Sequence, residues 1–180
     1  MSATNALGGP AVLLTLQACE DLCDALARDL APEDALAHIE ACRLALFGPG
    51  LLTVNRVAER PHGDSADFQL QRAWSSNPVD YPVGGRKRKT PTPWTQQLLV
   101  RGEVFVGEGE GAIAAVFDDS ARIMGLGLRS VVNVPLLAGT ECQATFNVLG
   151  GQARWQREDV AAIRLLAMLA KPFVLRLAPR

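Results

Sequence analysis

The stretch Arg129–Gly151, RSVVNVPLLAGTECQATFNVLGG, constrains the fold more tightly than any other part of the sequence. Val132, Val134 and Leu136 share one parity, and Cys142, Ala144, Phe146 and Val148 share it in the second half. Gln143, Thr145 and Asn147, between them, are polar. Alternation of this kind belongs to two paired, half-buried strands. A two-residue loop at Gly139-Thr140 would pair residues whose numbers have an odd sum, setting apolar against polar. A three-residue loop, Gly139-Thr140-Glu141, pairs Val134 with Phe146 and keeps the faces consistent. The same register sets Asn133 opposite Asn147.

A hairpin buried on one face needs a core to bury it. The 180 residues suffice for a single domain, 1–180, with 1–11 expected to be flexible. An apolar content of 48% with 21% charged residues excludes disorder. The net charge of −1 gives no electrostatic footprint for nucleic acid or an anionic membrane. The N-terminal run lacks the basic start of a signal peptide and is interrupted by Thr15 and Gln17. Nothing approaches the apolar run of about 18 residues that spans a bilayer. Cys19, Cys23, Cys42 and Cys142 form no CxxC pair, which points to free thiols in a reducing cytoplasm.

Residues 12–30 carry a helical stripe of Cys19, Cys23, Leu26 and Leu30 with Leu22 beside it, so both cysteines are expected in the core. A second helix opens at Ala31-Pro32-Glu33-Asp34, buries Leu36, Ile39, Cys42 and Leu46, and stops at Gly48-Pro49-Gly50. His38 falls on its outer side. Strands follow at 51–57 and 68–74, the latter with Phe68, Leu70 and Trp74 on one face and Arg72 among them, joined by a polar connection holding His62. Thr92 and Pro93 then open a helix with Leu98 and Leu99 inward, ending at Gly102. A short strand lies at 103–107, and a helix at 110–127 breaks near Asp118-Asp119. In the last helix Trp155 and Val160 form a staple and Asp159 sits at N3. Gln156 is a weak cap, so the start should fray. Val160, Ile163, Leu166, Leu169 and Ala170 make its inner stripe, and Pro172 should end or kink it.

Between the second strand and the Pro93 helix, residues 75–94 have four prolines, two glycines, four consecutive bases and two aromatics in 20 residues. A long segment without a clear element inside a compact domain is usually functional or disordered. Gly84 and Gly85 permit close backbone approach, and Arg86 and Lys87 can grip a carboxylate or phosphate. Arg88 and Lys89 read more simply as solvated charge. Trp74, Tyr81 and Trp94 suit a pocket wall, Tyr81 above all, although packing onto the sheet explains Trp74 equally well. Ser75, Ser76 and Asn77 offer polar groups at a strand end or serve a turn. Asn133 and Asn147 either bond each other or address a ligand. No acid–base pair, Ser-His arrangement or metal spacing stands out, and Asp118 and Asp119 read as surface or capping groups.

With this order of elements, Gly127-Leu-Arg-Ser-Val-Val-Asn-Val-Pro-Leu, Ala144-Thr-Phe-Asn-Val-Leu and Trp155-Gln-Arg-Glu-Asp-Val resemble a GAF domain over nearly the whole chain. The run Trp74-Ser-Ser-Asn-Pro to Gly85-Arg-Lys87 is similar to a group of stand-alone bacterial GAF proteins. The resemblance implies an α+β sandwich with a central antiparallel sheet of GAF/PAS type. Terminal helices cover one face and pair in a homodimer. Shorter helices and loops roof a pocket on the other, into which Asn133, Thr145 and Asn147 look. The signatures of the cyclic-nucleotide, bilin, haem and methionine-sulfoxide-reducing subtypes do not match, Cys142 having the parity of the apolar face. The resulting expectation is a cytoplasmic sensory module, without cofactor or metal. It binds a small polar, anionic ligand through Trp74, Ser75, Ser76, Tyr81, Gly84, Gly85, Arg86, Lys87, Trp94, Asn133, Thr145 and Asn147. Signalling would need a partner protein or a change of oligomeric state. The rivals are an enzyme using Tyr81, Arg86 or Lys87, and a dimerisation module without ligand.

Overall fold

The computed structural model describes residues 16–63 and 65–178. Six strands form one antiparallel sheet: β1 (Gly50–Glu59), β2 (Phe68–Ser75), β3 (Arg86–Lys89), β4 (Phe105–Glu108), β5 (Ser130–Ala138) and β6 (Glu141–Gly150), in the order β3-β2-β1-β6-β5-β4. The sheet is curled, with helices on both faces. On one face lie α1 (Leu16–Leu26), α2 (Pro32–Phe47) and α6 (Arg157–Arg176). On the other lie α3 (Pro93–Thr95, continuing as a π-turn over Gln96–Val100), α4 (Gly109–Val116) and α5 (Ser120–Gly125). This is the α+β sandwich expected.

The β5–β6 hairpin carries the core. Val132, Val134, Leu136, Ala144, Phe146 and Val148 pack against Leu36 and Ile39 of α2 and Ile163, Leu166 and Ala170 of α6. Asn133 faces Asn147 and Val134 faces Phe146, as the alternation requires. The turn, however, is the two-residue one. Ala138 pairs with Glu141 and Leu137 with Cys142, and then the partner of Leu136 is Ala144. Gln143 is therefore an extra residue, a β-bulge, and Gly139 turns the chain with a φ of +61°. The bulge reverses the parity of the β6 residues between it and the turn. Cys142 consequently packs among Phe68, Leu70, Trp94 and Leu98, on the face opposite to Phe146.

A second bulge does the same in β2. Val54 pairs with Trp74 and Asn55 with Arg72, so Ala73 is the extra residue. Trp74 thereby joins the helix-covered core, while Phe68, Leu70 and Arg72 stay on the other side. Trp74 is not on the face of Phe68 and Leu70 as its parity suggested.

The helices depart from the reading in detail. In α1 the inward residues are Leu22 and Ala25, Cys19 is half-buried and Cys23 is exposed, so Cys23 is no core hydrophobe; residues 12–15 lie outside the described residues. Helix α2 stops at Gly48, whose φ of +71° an L side chain adopts only with strain. The start of α6 is tied rather than frayed: Asp159 accepts the Gln156 N–H at 2.9 Å, and Glu108 accepts that of Trp155 at 3.1 Å. Pro172 does not end the helix, which runs on to Arg176, and Leu169 points outward. Among the described residues no helix is long and apolar enough to cross a membrane.

Candidate functional site

The sheet face away from α6 is the floor of a cavity. Strand alternation brings Thr53 and Asn55 of β1, Leu70 and Arg72 of β2, Lys87 and Lys89 of β3, and Asn147 and Leu149 of β6 onto it. The roof is built from Tyr81 before β3, Trp94 of α3, Phe117 and Asp119 between α4 and α5, and Ile123 of α5. Together they enclose about 40 Å³, roughly three times the least that one water needs.

Local chemistry explains how each part arrives there. Asn77 folds the chain after β2: its amide donates to Asp80 Oδ2 at 2.8 Å, and its carbonyl accepts the Tyr81 N–H at 2.9 Å. That turn swings Tyr81 back under the roof. Ser75 Oγ accepts from Asn77 N–H and Ser76 Oγ from Leu52 N–H, so both serines serve the turn and the sheet, and neither lines the cavity. Gly84, with φ +87°, and Gly85 exchange backbone bonds of 2.8 Å with Arg72. A Cβ on Gly85 would come within 3.3 Å of the Arg72 guanidinium, so the glycine leaves room for that side chain. The four bases form an edge strand rather than a loop. Its alternation turns Lys87 and Lys89 inward and leaves Arg86 and Arg88 exposed, Arg88 paired with Asp67. Of the pair expected at the ligand, Lys87 lines the cavity and Arg86 does not; Lys89, read as solvated, is buried.

Lys87 Nζ donates to both carboxylate oxygens of Asp119 at 2.9 Å. Asp119, half-buried at the start of α5, is therefore a cavity-lining partner, while Asp118, 84% exposed, sits outside at 3.5 Å from Lys89. Lys89 lies over the rings of Trp94, at 5.5 Å, and Phe117, at 6.0 Å. The Arg72 guanidinium carbon is 4.9 Å from the centre of the Tyr81 ring, and its NH1 donates to the Pro82 carbonyl at 3.2 Å. Arg72 Nε and Tyr81 Oη are buried and have no partner among the described protein atoms.

Beside the cavity a polar chain crosses the floor. Trp94 Nε1 donates to Asn133 Oδ1 at 3.0 Å, Asn133 Nδ2 to Asn147 Oδ1 at 2.8 Å, and Asn147 Nδ2 to the Thr53 carbonyl at 3.2 Å. The two carboxamides thus bond each other, and Asn147 also lines the cavity. Asn133 and Thr145 are buried outside its lining, with Thr145 Oγ1 unpartnered.

Burial dominates the electrostatics. It pushes the Tyr81 phenol up to about 12, aided by Asp119 and opposed by Arg72. It lowers Arg72 and, outweighing the Asp119 hydrogen bonds, Lys87. For Asp119 burial pulls upward, but the Lys87 hydrogen bonds and charge prevail and hold the carboxyl below its usual range. Cys142 is pushed to about 11 by burial, which leaves its thiol unreactive. Among the described residues no cluster of three or more histidine, cysteine or acidic side chains could hold a metal.

Among the charged and aromatic cavity residues, Arg72, Lys89, Asp119 and Phe117 are those that sequence reasoning missed, and Thr53, Asn55 and the aliphatic lining were not named either. An arginine set between Leu70 and Trp74 on an expected apolar face was a signal for the first. Nothing in the sequence marked the second, because alternation among four bases shows only once the neighbouring strand is paired.

No family model matches the sequence, and comparison with curated proteins gives no significant match. Solved structures do match. The GAF domain/HD domain protein from Geobacter sulfurreducens is 16% identical over 81% of this chain and 93% of that one, with a TM-score of 0.60. The nlh2 GAF domain of A. aeolicus, in an inactive state, is 14% identical over 87% and 93%, with a TM-score of 0.58. A phycoerythrobilin-bound GAF domain from a cyanobacterial phytochrome is 16% identical over 88% and 95%, with a TM-score of 0.53. The chain has the GAF-domain fold.

Proposed function

We propose that this GAF-fold chain is a small-molecule-binding sensory module whose cavity takes a small acidic ligand. One observation carries the reading: Arg72, Lys87 and Lys89 line the cavity against a single lining carboxylate, Asp119. Cations withdrawn from water are costly unless paired, and an incoming anion supplies the missing partner. The phycoerythrobilin-bound neighbour is a GAF domain that holds a small molecule, which supports ligand binding as a use of this fold.

Binding to the native state alone raises stability by about 2.7 kcal/mol at a hundredfold excess over Kd. For a chain of this size that is a rise in Tm of about 5–10 °C. A melting screen of small acids, amines and neutral polar compounds should show the rise with acids only, and Arg72→Met should abolish it. A shift with amines, or none with any acid, rejects the proposal.

The output we assign to self-association through α6, where Leu165, Met168 and Leu169 stand exposed on one stripe.

A further inference from the structure

Resting on the reading of the cavity as a ligand site, we infer that its occupant is a short-chain monocarboxylate, held by Arg72 Nε–H and Tyr81 Oη–H with its carbon chain against Leu51, Ile123 and Leu149. The donors select the group. Tyr81 is 4% exposed and Arg72 8%, both line the cavity, and each has a buried N–H or O–H without an acceptor. A buried donor left unmatched is expensive, so the ligand must bring acceptors at this end. Arginine nitrogens can only donate, and the phenol, with its pKa near 12, keeps its proton at neutral pH. An amine brings only donors here, and an amide or alcohol oxygen can accept from both donors but carries no charge to answer the cations. A carboxylate has two acceptor oxygens and one negative charge.

The remainder of the lining selects the rest of the molecule. Leu51, Leu149, Ile123 and Leu70 offer no hydrogen bonds, so they favour a hydrocarbon tail over a further polar head. Inorganic phosphate would present oxygens to that apolar wall. The free volume of about 40 Å³ keeps the chain short, on the order of two to four carbons. Lys87 and Asp119 satisfy one another within the cavity, so the ligand acid takes the vacant donors and need not break their pair.

The test titrates the intact protein calorimetrically with sodium acetate, propionate and butyrate, and with acetamide, ethylamine, inorganic phosphate and decanoate. The three short carboxylates should bind and the other four should not. Tyr81→Phe removes one donor and keeps the ring. It should weaken propionate about tenfold or more while leaving the unliganded protein at least as stable, because an unmatched buried hydroxyl is lost. Arg72→Lys keeps the charge without the Nε–H and should weaken propionate likewise. Equal binding of propionate to wild type and Tyr81→Phe overturns the inference, as does phosphate or acetamide binding as tightly as acetate. If phosphate alone binds, and Arg72→Met abolishes it, the cavity remains an anion site and only the carboxylate assignment falls. If no small acid binds, both fall.

Discussion

Tyr81 is the only tyrosine in the chain, so its phenolate absorbance reports on the cavity without interference. Its pKa is raised from 10.0 to about 12 by burial. Between these values the unfolded chain has lost a proton that the native one keeps. The stability tied to Tyr81 is thus complete below pH 10 and is lost as pH rises through the folded value. A rapid pH jump, read before the chain unfolds, should give a native midpoint of about 12, against 10 in denaturant. A native midpoint at 10 would mean that water reaches the phenol and that the cavity is open. Arg72 makes the same point about single residues. One cation facing a tyrosine ring, with Gly85 bare beside it, is a local arrangement that no periodicity announces.

At the scale of elements, the hairpin and the Thr92 N-cap were legible because each rests on local alternation or capping chemistry, and the two covering layers followed from the GAF resemblance. What failed to read through were the bulges at Ala73 and Gln143. Parity is a running count, and one extra residue inverts it from that point on. Trp74 and Cys142 were assigned to the wrong faces for this single reason, whereas Asn133 and Asn147, on the far side of the bulge from the turn, were placed correctly. The basic edge strand was hidden differently: four charges mask an alternation that only the neighbouring strand reveals. Pro172 shows propensity overridden by packing. Val174 and Leu177 are buried beyond it, and the apolar surface they cover keeps the helix going. A proline inside a helix costs about 3 kcal/mol, and its stiffening of the unfolded chain returns only about 0.4–1 kcal/mol. Pro172→Ala should therefore raise stability by roughly 2 kcal/mol, or Tm by about 4–8 °C, in thermal melts. A fall would show that the proline ring itself packs against a neighbour.

For the whole molecule the consequence lies in the thickness of the sheet. Asn133 and Asn147 face the cavity side, and Val132, Val134, Phe146 and Val148 of the same two strands face α6. One layer of backbone separates a candidate ligand floor from the helix that packs on the core. The outer stripe of that helix, with Leu165 62% exposed, Met168 47% and Leu169 44%, continues through Pro172 to Leu175. The positions recur at the spacing with which paired helices meet, and a stripe of exposed leucines is favourable only when covered. Self-association along α6 would cover it and would connect what happens on the floor to assembly. Light scattering at micromolar concentration should give twice the 19.3 kDa of the chain. Leu165→Glu with Leu169→Glu should return the monomer with little change in the monomer's own melting, since both side chains face away from the core. A wild-type protein that runs as a 19.3 kDa monomer overturns this output. A variant that stays dimeric moves the interface to another surface.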